Sequence, residues 1–347
     1  MEVRERLLHI SPSRHIGSVT PIAGHIHGND GDKSECQMNA AGMHRRLRGP
    51  GGRFLPGWMT ERSARGWQIR PGVVVGFGTL GYAFHFMVDI HCHILPALDD
   101  GAESLDESVE MAETAISEGI THVVATPHAD GNFRFDFDLV QKRRAELQAR
   151  LGDRLQLATG CDFHLNMENL RDIRPDPSKY SLNQKRYLLV EFADFAIPPT
   201  AEEALHQLQL LGLSLIVTHP ERNALIRLQP QRLQRWIEQG CYVQVTAQSL
   251  LGKWGEGAKE KVEEWLDQQM VHFFASDAHN VDRRPLRLKE ARDTVAKRWG
   301  ESLAQSLFQD NPLAAFEGRD LPYQPRASSA GGGMAQSRPR RKRFIFF

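Results

Sequence analysis

Short apolar runs alternate with amphipathic segments of helical period from residue 87 onward, and this alternation restricts the possible folds more than any other feature of the sequence. It is typical of a parallel β-sheet whose strands are connected by helices. Seven runs are predicted strands: 88–93, 122–126, 155–163, 187–192, 214–218, 241–246 and 271–276. The segments between and after them are predicted helices: 104–119, 137–151, 201–211, 231–239, 258–268, 286–299 and 302–308.

Consecutive strand–helix units predict an α/β fold related to the eight-stranded (β/α) barrel. In such barrels the functional residues collect at the C-terminal ends of the strands. An open, doubly wound sheet is the alternative, and it is disfavoured because no Gly-x-Gly-x-x-Gly turn follows any predicted strand.

The alternation is confined to residues 87–323, which we predict to be the folded domain. Residues 1–86 are rich in Gly, Arg, His and Ser and show no sustained period, so they are predicted to be a disordered or non-native extension, with the natural start near Met87. The apolar piece 73–84 is too short for a membrane helix. Residues 324–347 are predicted to be a disordered basic tail.

Charge and cysteine usage exclude several classes of protein. Residues 87–323 contain 26 basic and 37 acidic residues, which disfavours a nucleic-acid partner, because such binders carry a basic face on the fold itself. The four scattered cysteines form no Cys-x-x-Cys pair, so a reducing cytoplasm is expected. None of them begins a Cys-x5-Arg phosphate loop.

Six of the seven predicted strands end in metal-type donors. A single His, Asp or Glu at a strand end often faces solvent, but six such ends together favour a metal site. Strand six ends in Thr246 and Gln248, without an obvious ligand, and His164 lies near the end of strand three. The candidate ligands are His91, His93, His128, Asp162, Glu191, His219, Asp277 and His279.

This mixture of imidazoles and carboxylates suits Mn, Fe or Zn and exceeds the capacity of one ion, so two or three divalent ions are expected. Such a centre supplies a hydroxide nucleophile and cleaves phosphoesters. Arg222 and Arg284 are candidate ligands of the phosphoryl oxygens. Asp100 is a candidate for positioning the water or protonating the leaving group. Instead of binding phosphate, Arg284 could be a surface charge at the start of a helix. Instead of contributing to catalysis, residues 99–101 could form a simple turn.

The motifs Asp-Ile-His-x-His, Asp-Asp-Gly, Thr-Pro-His, Val-Glu-Phe, His-Pro-Glu-Arg and Ser-Asp-Ala-His-Asn, in this order, resemble the PHP (polymerase and histidinol phosphatase) superfamily. Within it they are most similar to the CpsB/CapC-type protein-tyrosine phosphatases of bacterial capsule biosynthesis. The resemblance implies a distorted (β/α)7 barrel with a trinuclear, usually manganese-dependent centre. It also implies a cytoplasmic enzyme that acts on phosphotyrosine in the tail of a bacterial tyrosine kinase or polysaccharide co-polymerase and so regulates exopolysaccharide synthesis.

Residue by residue, the resemblance assigns the same eight metal ligands, makes Arg222 and Arg284 the phosphate-contacting arginines, and makes Asp100 the motif aspartate near the metals. One residue departs from the family. Asp162 stands where the family usually has Glu, and its side chain is one methylene shorter. A carboxylate that bridges two ions is therefore expected to be drawn toward one of them.

Two other functions remain open from the sequence. A small-molecule phosphomonoesterase of the histidinol-phosphatase type would have a deep pocket, whereas a protein phosphatase would have an open rim. A non-catalytic phosphotyrosine-binding module is the other alternative, and the near-complete ligand set disfavours it. A membrane contact is expected only through the basic tail, whose run from Arg338 to Arg343 precedes an apolar end.

Overall fold

A computed structural model describes residues 86–193 and 195–325. Its contacts divide the chain into two units, Met1–Gly78 and Thr79–Phe347, and every described residue belongs to the second. The predictions for the N-terminal extension and the basic tail therefore lie outside the described residues, apart from Phe86, Gln324 and Pro325. No helix in the described part of the chain has the length and apolar character needed to cross a membrane.

The predicted α/β class with parallel strands is confirmed, and all strand pairings in the described residues are parallel. Two sheets form, with the orders β1-β2-β4 and β3-β5-β6-β7-β8-β9. The strands are β1 (Met87–Cys92), β2 (Ile120–Ala125), β3 (His128–Ala129), β4 (Gln156–Thr159), β5 (Asp162–His164), β6 (Tyr187–Glu191), β7 (Ser214–Thr218), β8 (Tyr242–Thr246) and β9 (Phe273–Ala275).

The third predicted strand is interrupted, and a short strand that was not predicted follows the second one, so the strands divide between two sheets. Thr126 and Pro127 separate β2 from β3, and a proline has no N–H to continue a ladder. Gly160 and Cys161 separate β4 from β5. Beyond the two breaks, β3 pairs with β5 so that His128 lies opposite Asp162. The interruptions therefore bring two predicted ligands side by side.

The first helix shows how local sequence sets the element ends. Helix α1 (Leu105–Glu118) begins after Ser104, whose hydroxyl accepts a hydrogen bond from the backbone N–H of Glu107 at 3.2 Å. The Glu107 carboxylate accepts from the N–H of Glu103 at 2.9 Å, one residue before the position that a capping box predicts. Gly119 ends the helix with a φ of 87°.

The other predicted helices occur in the predicted order, and the last two predictions need correction. The short helices Met167–Asp172, Ala224–Leu228 and Ala247–Leu250 were not predicted. The helix predicted at 286–299 begins later, at Lys289, because the residues before it belong to a loop beside the site. The helix predicted at 302–308 is one part of a longer helical segment with a π turn at 306–310. The helices are α2 (Phe137–Leu151), α3 (Met167–Asp172), α4 (Ala201–Leu210), α5 (Ala224–Leu228), α6 (Pro230–Glu238), α7 (Ala247–Leu250), α8 (Glu256–Asp267), α9 (Lys289–Trp299), α10 (Glu301–Gln305) and α11 (Asn311–Glu317).

Both faces of the strands are buried, as expected of parallel sheets. In β6, Leu188 and Val190 belong to a large apolar cluster packed with the helices, whereas Leu189 belongs to a smaller cluster with Ala314 and Ala315 of α11. Side chains along β1 do not alternate strictly between these two clusters, because the register of its pairing with β2 shifts before Cys92. A rigid frame thus surrounds the C-terminal ends of the strands.

Candidate metal centre

The eight predicted metal ligands lie together at the C-terminal ends of the strands, joined by contacts of 3.7 Å or less between their donor atoms. His91 and His93 converge as their spacing predicted, with 3.4 Å between their Nε2 atoms. His219 Nε2 lies 3.6 Å from Glu191 Oε1, and His279 Nδ1 lies 3.7 Å from Asp277 Oδ1. Residues separated by up to 188 positions in the sequence therefore form one cluster of donors.

The spacing of the donors suits shared ions better than direct hydrogen bonds. Most separations between imidazole nitrogens and carboxylate oxygens are 3.3–3.6 Å, longer than a good hydrogen bond. Two ligands each about 2.1 Å from one ion in tetrahedral geometry are separated by roughly 3.4 Å. Three groups have all donor atoms within 4.8 Å of one another: His91, His93 and Asp162; His128, Asp162 and Glu191; and His93, Asp100, His128 and His279.

Asp162 is shared by two of these groups and is fully buried. Its Oδ2 lies 3.5 Å from His91 Nε2 and 3.3 Å from His128 Nδ1, yet neither carboxylate oxygen has a hydrogen-bond partner among the described residues. A buried carboxylate without such partners is strongly unfavourable unless a cation lies beside it. The residues present therefore fit a divalent metal, and the shorter side chain still reaches between the two histidines.

Charged neighbours inside the cluster shift the pKa values of its groups, upward for His128 and downward for Asp162. Burial lowers the pKa of His128, but the carboxylates of Asp100 and Asp162 outweigh it and raise that pKa to about 12. Burial raises the pKa of Asp162, but the imidazoles of His91 and His128 outweigh it and hold that pKa well below its usual value. Because metal ligands must be deprotonated, a divalent cation would compete with the protons of these imidazoles.

Two residues that the sequence did not single out orient the imidazoles. His93 Nδ1 lies 2.6 Å from Asp99 Oδ2, which also accepts a hydrogen bond from the N–H of His128 at 3.0 Å. His91 Nδ1 lies 2.9 Å from Gln244 Oε1. Such contacts fix the ring and the tautomer so that Nε2 faces the donors. The sequence signal for Gln244 was that it is a polar residue inside the apolar run of β8.

The Asp99→Asn variant is expected to bind Mn²⁺ about 10- to 100-fold more weakly, because outer partners of metal-bound histidines contribute on this scale. The amide keeps an acceptor oxygen but loses the charge that stabilises the His93 N–H. Manganese titration followed by calorimetry measures the effect, and Asp106→Asn, at an exposed carboxylate on α1, is the matched control. Unchanged affinity in the Asp99 variant would contradict the orienting role.

Asp100 lies among the donors rather than apart from them. Its Oδ1 is 3.4 Å from Nε2 of both His128 and His279, and the nearby imidazoles of His128 and then His279 hold its pKa well below its usual value. Its side chain is 53% exposed, so the cluster opens to solvent here. The turn requires Gly101, since a Cβ there would collide with the carbonyl oxygen of His93.

Two donors have left-handed backbone conformations, with a φ of 33° at His219 and 51° at Asp277. Such conformations are costly for residues other than glycine and persist at functional sites where the surroundings impose them. The Asp277 N–H donates to the carbonyl of His91 at 2.8 Å, and the His219 carbonyl accepts from the N–H of Arg222 at 3.0 Å. These bonds turn the chain sharply where β7 and β9 end.

Arg222 and Arg284 converge on one oxygen of the Asp277 carboxylate. Arg284 donates to Asp277 Oδ2 at 2.6 Å, and Arg222 donates to the same oxygen. The Nε–H group of each guanidinium is buried without an acceptor in the described part of the structure. Two neighbouring cations with unused donors are a candidate anion site, suited in chemistry to a ligand with several oxygens.

Comparison with known proteins identifies relatives of this chain. The family model of capsular polysaccharide synthesis proteins, CpsB/CapC, matches residues 87–317. Tyrosine-protein phosphatase YwqE of Bacillus subtilis is 36% identical over 231 residues, which cover 65% of this chain and 91% of that protein. Tyrosine-protein phosphatase CpsB of Streptococcus pneumoniae is 29% identical over 238 residues, covering 65% and 96%.

A solved structure from a study of YwqE of Bacillus subtilis and CpsB of Streptococcus pneumoniae, described there as metal-dependent tyrosine phosphatases, is similar to this one. The two chains share 34% identity and superpose with a TM-score of 0.64, over 69% of this chain and 99% of the other. Residues 87–317, which match the family model, contain the whole cluster of donors.

Proposed function

Because this chain belongs to the CpsB/CapC family of capsular polysaccharide synthesis proteins, we propose that it is a metal-dependent protein-tyrosine phosphatase. The observation that carries the proposal is the buried Asp162 carboxylate, which lies between His91 and His128 without a hydrogen-bond partner in the described residues. The relatives named tyrosine-protein phosphatases support the reaction and its substrate class.

The proposed metal ligands are the eight clustered donors, holding two or three divalent ions. Manganese is the proposed metal, with iron and zinc as alternatives, since imidazoles and carboxylates together suit all three. Ions bound there would supply Lewis-acid polarisation of the phosphoryl group and activate a water nucleophile near neutral pH. The ligands are His91, His93, His128, Asp162, Glu191, His219, Asp277 and His279.

The other residues of the site bind and orient the substrate. We assign Arg222 and Arg284 to the non-bridging phosphoryl oxygens, because their unpaired Nε–H groups provide two donors side by side. Asp100 is half-exposed and lies between two imidazoles of the cluster, a position from which it would orient the attacking water. Of the two roles predicted for Asp100, positioning fits this location better than protonation of the leaving group.

We also propose that residues 87–323 form a distorted (β/α)7 barrel. Backbone hydrogen bonds between β1 and the segment after β9 support closure: His93 N–H donates to Ala278 O and Asp277 N–H donates to His91 O, both at 2.8 Å. Further bonds support continuity across the two interruptions, from Gly160 N–H to Ala125 O at 2.9 Å and from Asp162 N–H to Pro127 O at 3.1 Å.

The proposed substrate is phosphotyrosine in the tail of a bacterial tyrosine kinase or polysaccharide co-polymerase, and the proposed compartment is the cytoplasm. The half-exposed Asp100 supports an open rim that admits a peptide, rather than the deep pocket expected for a histidinol-phosphatase type of enzyme. The three described cysteines are free thiols, which supports a reducing compartment. The capsule-synthesis description of the family supports the kinase partner.

Hydrolysis of a phosphotyrosine peptide by the full chain, with Mn²⁺ and with a chelator, tests the proposed function. Manganese-dependent release of phosphate is expected, and it should be lost in the double variant His91→Ala/His93→Ala. His206→Ala, an exposed imidazole on α4, is the matched control. Turnover of small phosphomonoesters alone would favour the histidinol-phosphatase type, and binding without turnover of either would favour a non-catalytic module.

A further inference from the structure

Trp254 lies against both arginines of the anion site although no sequence motif includes it. The centre of the Arg222 guanidinium is 4.3 Å from the centroid of the indole, and that of Arg284 is 5.4 Å away. The side chain nevertheless remains 39% exposed. One aromatic surface therefore borders the two candidate phosphoryl-binding cations and faces solvent.

The loop that carries Trp254 is held in a defined conformation. Gly252 and Gly255 flank it with φ values of 80° and 87°, which a side chain would disfavour. The Lys253 N–H donates to Gln248 O at 3.0 Å, and the Gly255 N–H donates to Gly252 O at 3.2 Å. The indole is thus presented by a tight turn between α7 and α8.

A hydrogen bond also joins the segment that carries Arg222 to the start of α7, the helix that precedes this turn. The Glu221 carboxylate is fully buried, and its Oε1 accepts a hydrogen bond from the Thr246 N–H at 2.9 Å. Thr246 ends β8 and directly precedes α7. The residue before Arg222 therefore contacts the residue before α7, and Trp254 lies in the turn that follows this helix.

Packing in the core does not account for Trp254. The side chain belongs to neither apolar cluster of the described residues, unlike Trp236 and Trp265, which are fully buried. Trp299 also stacks with an arginine, Arg298 at 4.4 Å, but it packs against the large cluster and donates to Asp267 at 2.7 Å. Trp254 thus combines exposure with a place beside the anion site.

We propose that Trp254 is a specificity-determining residue that favours aryl over alkyl phosphomonoesters, an inference that rests on the phosphatase function proposed above. A phosphoryl group bound by Arg222 and Arg284 places its ester substituent beside the indole. In phosphotyrosine the phenyl ring is attached directly to the ester oxygen, so it lies within stacking distance of Trp254. In phosphoserine a single methylene occupies that position and provides little surface to stack.

Matched peptides that differ only in phosphotyrosine or phosphoserine test the proposal with the manganese-loaded full chain. Trp254→Leu is expected to lower kcat/KM for the phosphotyrosine peptide by about tenfold or more, chiefly through KM, and for phosphoserine by about threefold or less. Trp254→Phe should keep most of the preference because it keeps an aromatic face. Trp299→Leu, which removes the other arginine-stacked indole, should leave the ratio of the two substrates unchanged.

An equal loss on both peptides, or no loss on either, would overturn the proposed selectivity. Binding of phenylphosphonate and ethylphosphonate, measured by calorimetry, separates this proposal from the proposed activity, since neither compound is turned over. A wild-type preference for phenylphosphonate that disappears in Trp254→Leu would support the aromatic contact even if hydrolysis failed. Equal affinities for the two phosphonates in the wild type would overturn it even if hydrolysis succeeded.

Discussion

The Asp162→Asn variant is expected to lose metal-dependent hydrolysis, with kcat/KM lowered by about a thousandfold or more. An amide keeps the size of the side chain but removes the negative charge that lies between His91 and His128. Because Asp162 is the carboxylate common to two donor groups, its loss weakens two sites together. Phosphotyrosine hydrolysis and the manganese content of the purified protein measure the effect.

Thermal unfolding gives a second measurement of the same change. Saturation at about 100 times the dissociation constant stabilises a folded protein by about 2.7 kcal/mol, so Mn²⁺ should raise the wild-type Tm by about 5–10 °C. Asp162→Asn should show little of this increase. Asp320→Asn, at an exposed carboxylate paired with Arg186, is the matched control and should behave as the wild type. A normal manganese content in the Asp162 variant would contradict the bridging role.

Asp162→Glu separates the charge of this residue from its length. The family residue would restore the longer carboxylate, but the position is fully buried and the Asp162 oxygens already reach between both histidines. An added methylene in a buried position commonly lowers folding stability by about 1–3 kcal/mol and displaces the neighbouring side chains. Because such displacement disturbs the site, we expect a roughly tenfold lower kcat/KM with manganese retained. Higher activity in this variant would mean that the shorter side chain leaves one metal weakly held.

Arg222→Met is expected to lower kcat/KM by roughly two to three orders of magnitude while leaving the manganese content unchanged. The arginine is largely buried, and it contacts Asp277 and the Trp254 ring. Its Nε–H has no acceptor among the described residues and is one of the two donors that we propose for the phosphoryl group. Arg222→Lys should recover only part of the loss, because an ammonium keeps the charge but not the planar arrangement of donors.

Kinetics and metal analysis together identify the cause of the Arg222 effect. Arg232→Met is the matched control, since Arg232 also pairs with a carboxylate, Glu202, and lies over an indole, that of Trp236. That variant should retain the activity of the wild type. Loss of manganese in Arg222→Met would indicate that the arginine supports Asp277 as a ligand rather than the phosphoryl group.

Much of the fold and of the candidate site could be predicted because the signals are local. The helical period and the flanking residues predicted α2 at Phe137–Leu151 as it is observed, and Ser104 and Gly119 bound α1. Polar residues placed at the ends of apolar runs identified all eight donors that the structure brings together. Their roles as ligands, and those of Arg222, Arg284 and Asp100, stay predictions.

Other features escaped the sequence because they depend on contacts between distant segments. Gln244 contacts the His91 ring although the two residues are 153 positions apart in the sequence. A polar residue inside this strand could not be explained before that contact was known. The adjacent aspartates of residues 99–100 look alike in sequence, yet Asp99 faces His93 and Asp100 faces His128 and His279. The Gly101 N–H that follows them donates to Asp99 Oδ1 at 3.0 Å, in a turn where a Cβ at Gly101 would collide with the His93 carbonyl.

The sequence by itself determined the order of the elements, the chemistry of the donors and the end of the sheet at which they collect. These follow from periodicity and from residue types, which act over a few neighbouring positions. Only the tertiary structure decided that β3 pairs with β5, which residues orient the imidazoles, and that Trp254 borders both arginines. Those features arise from packing between loops that the chain brings together only after the sheet has formed, so no local pattern records them.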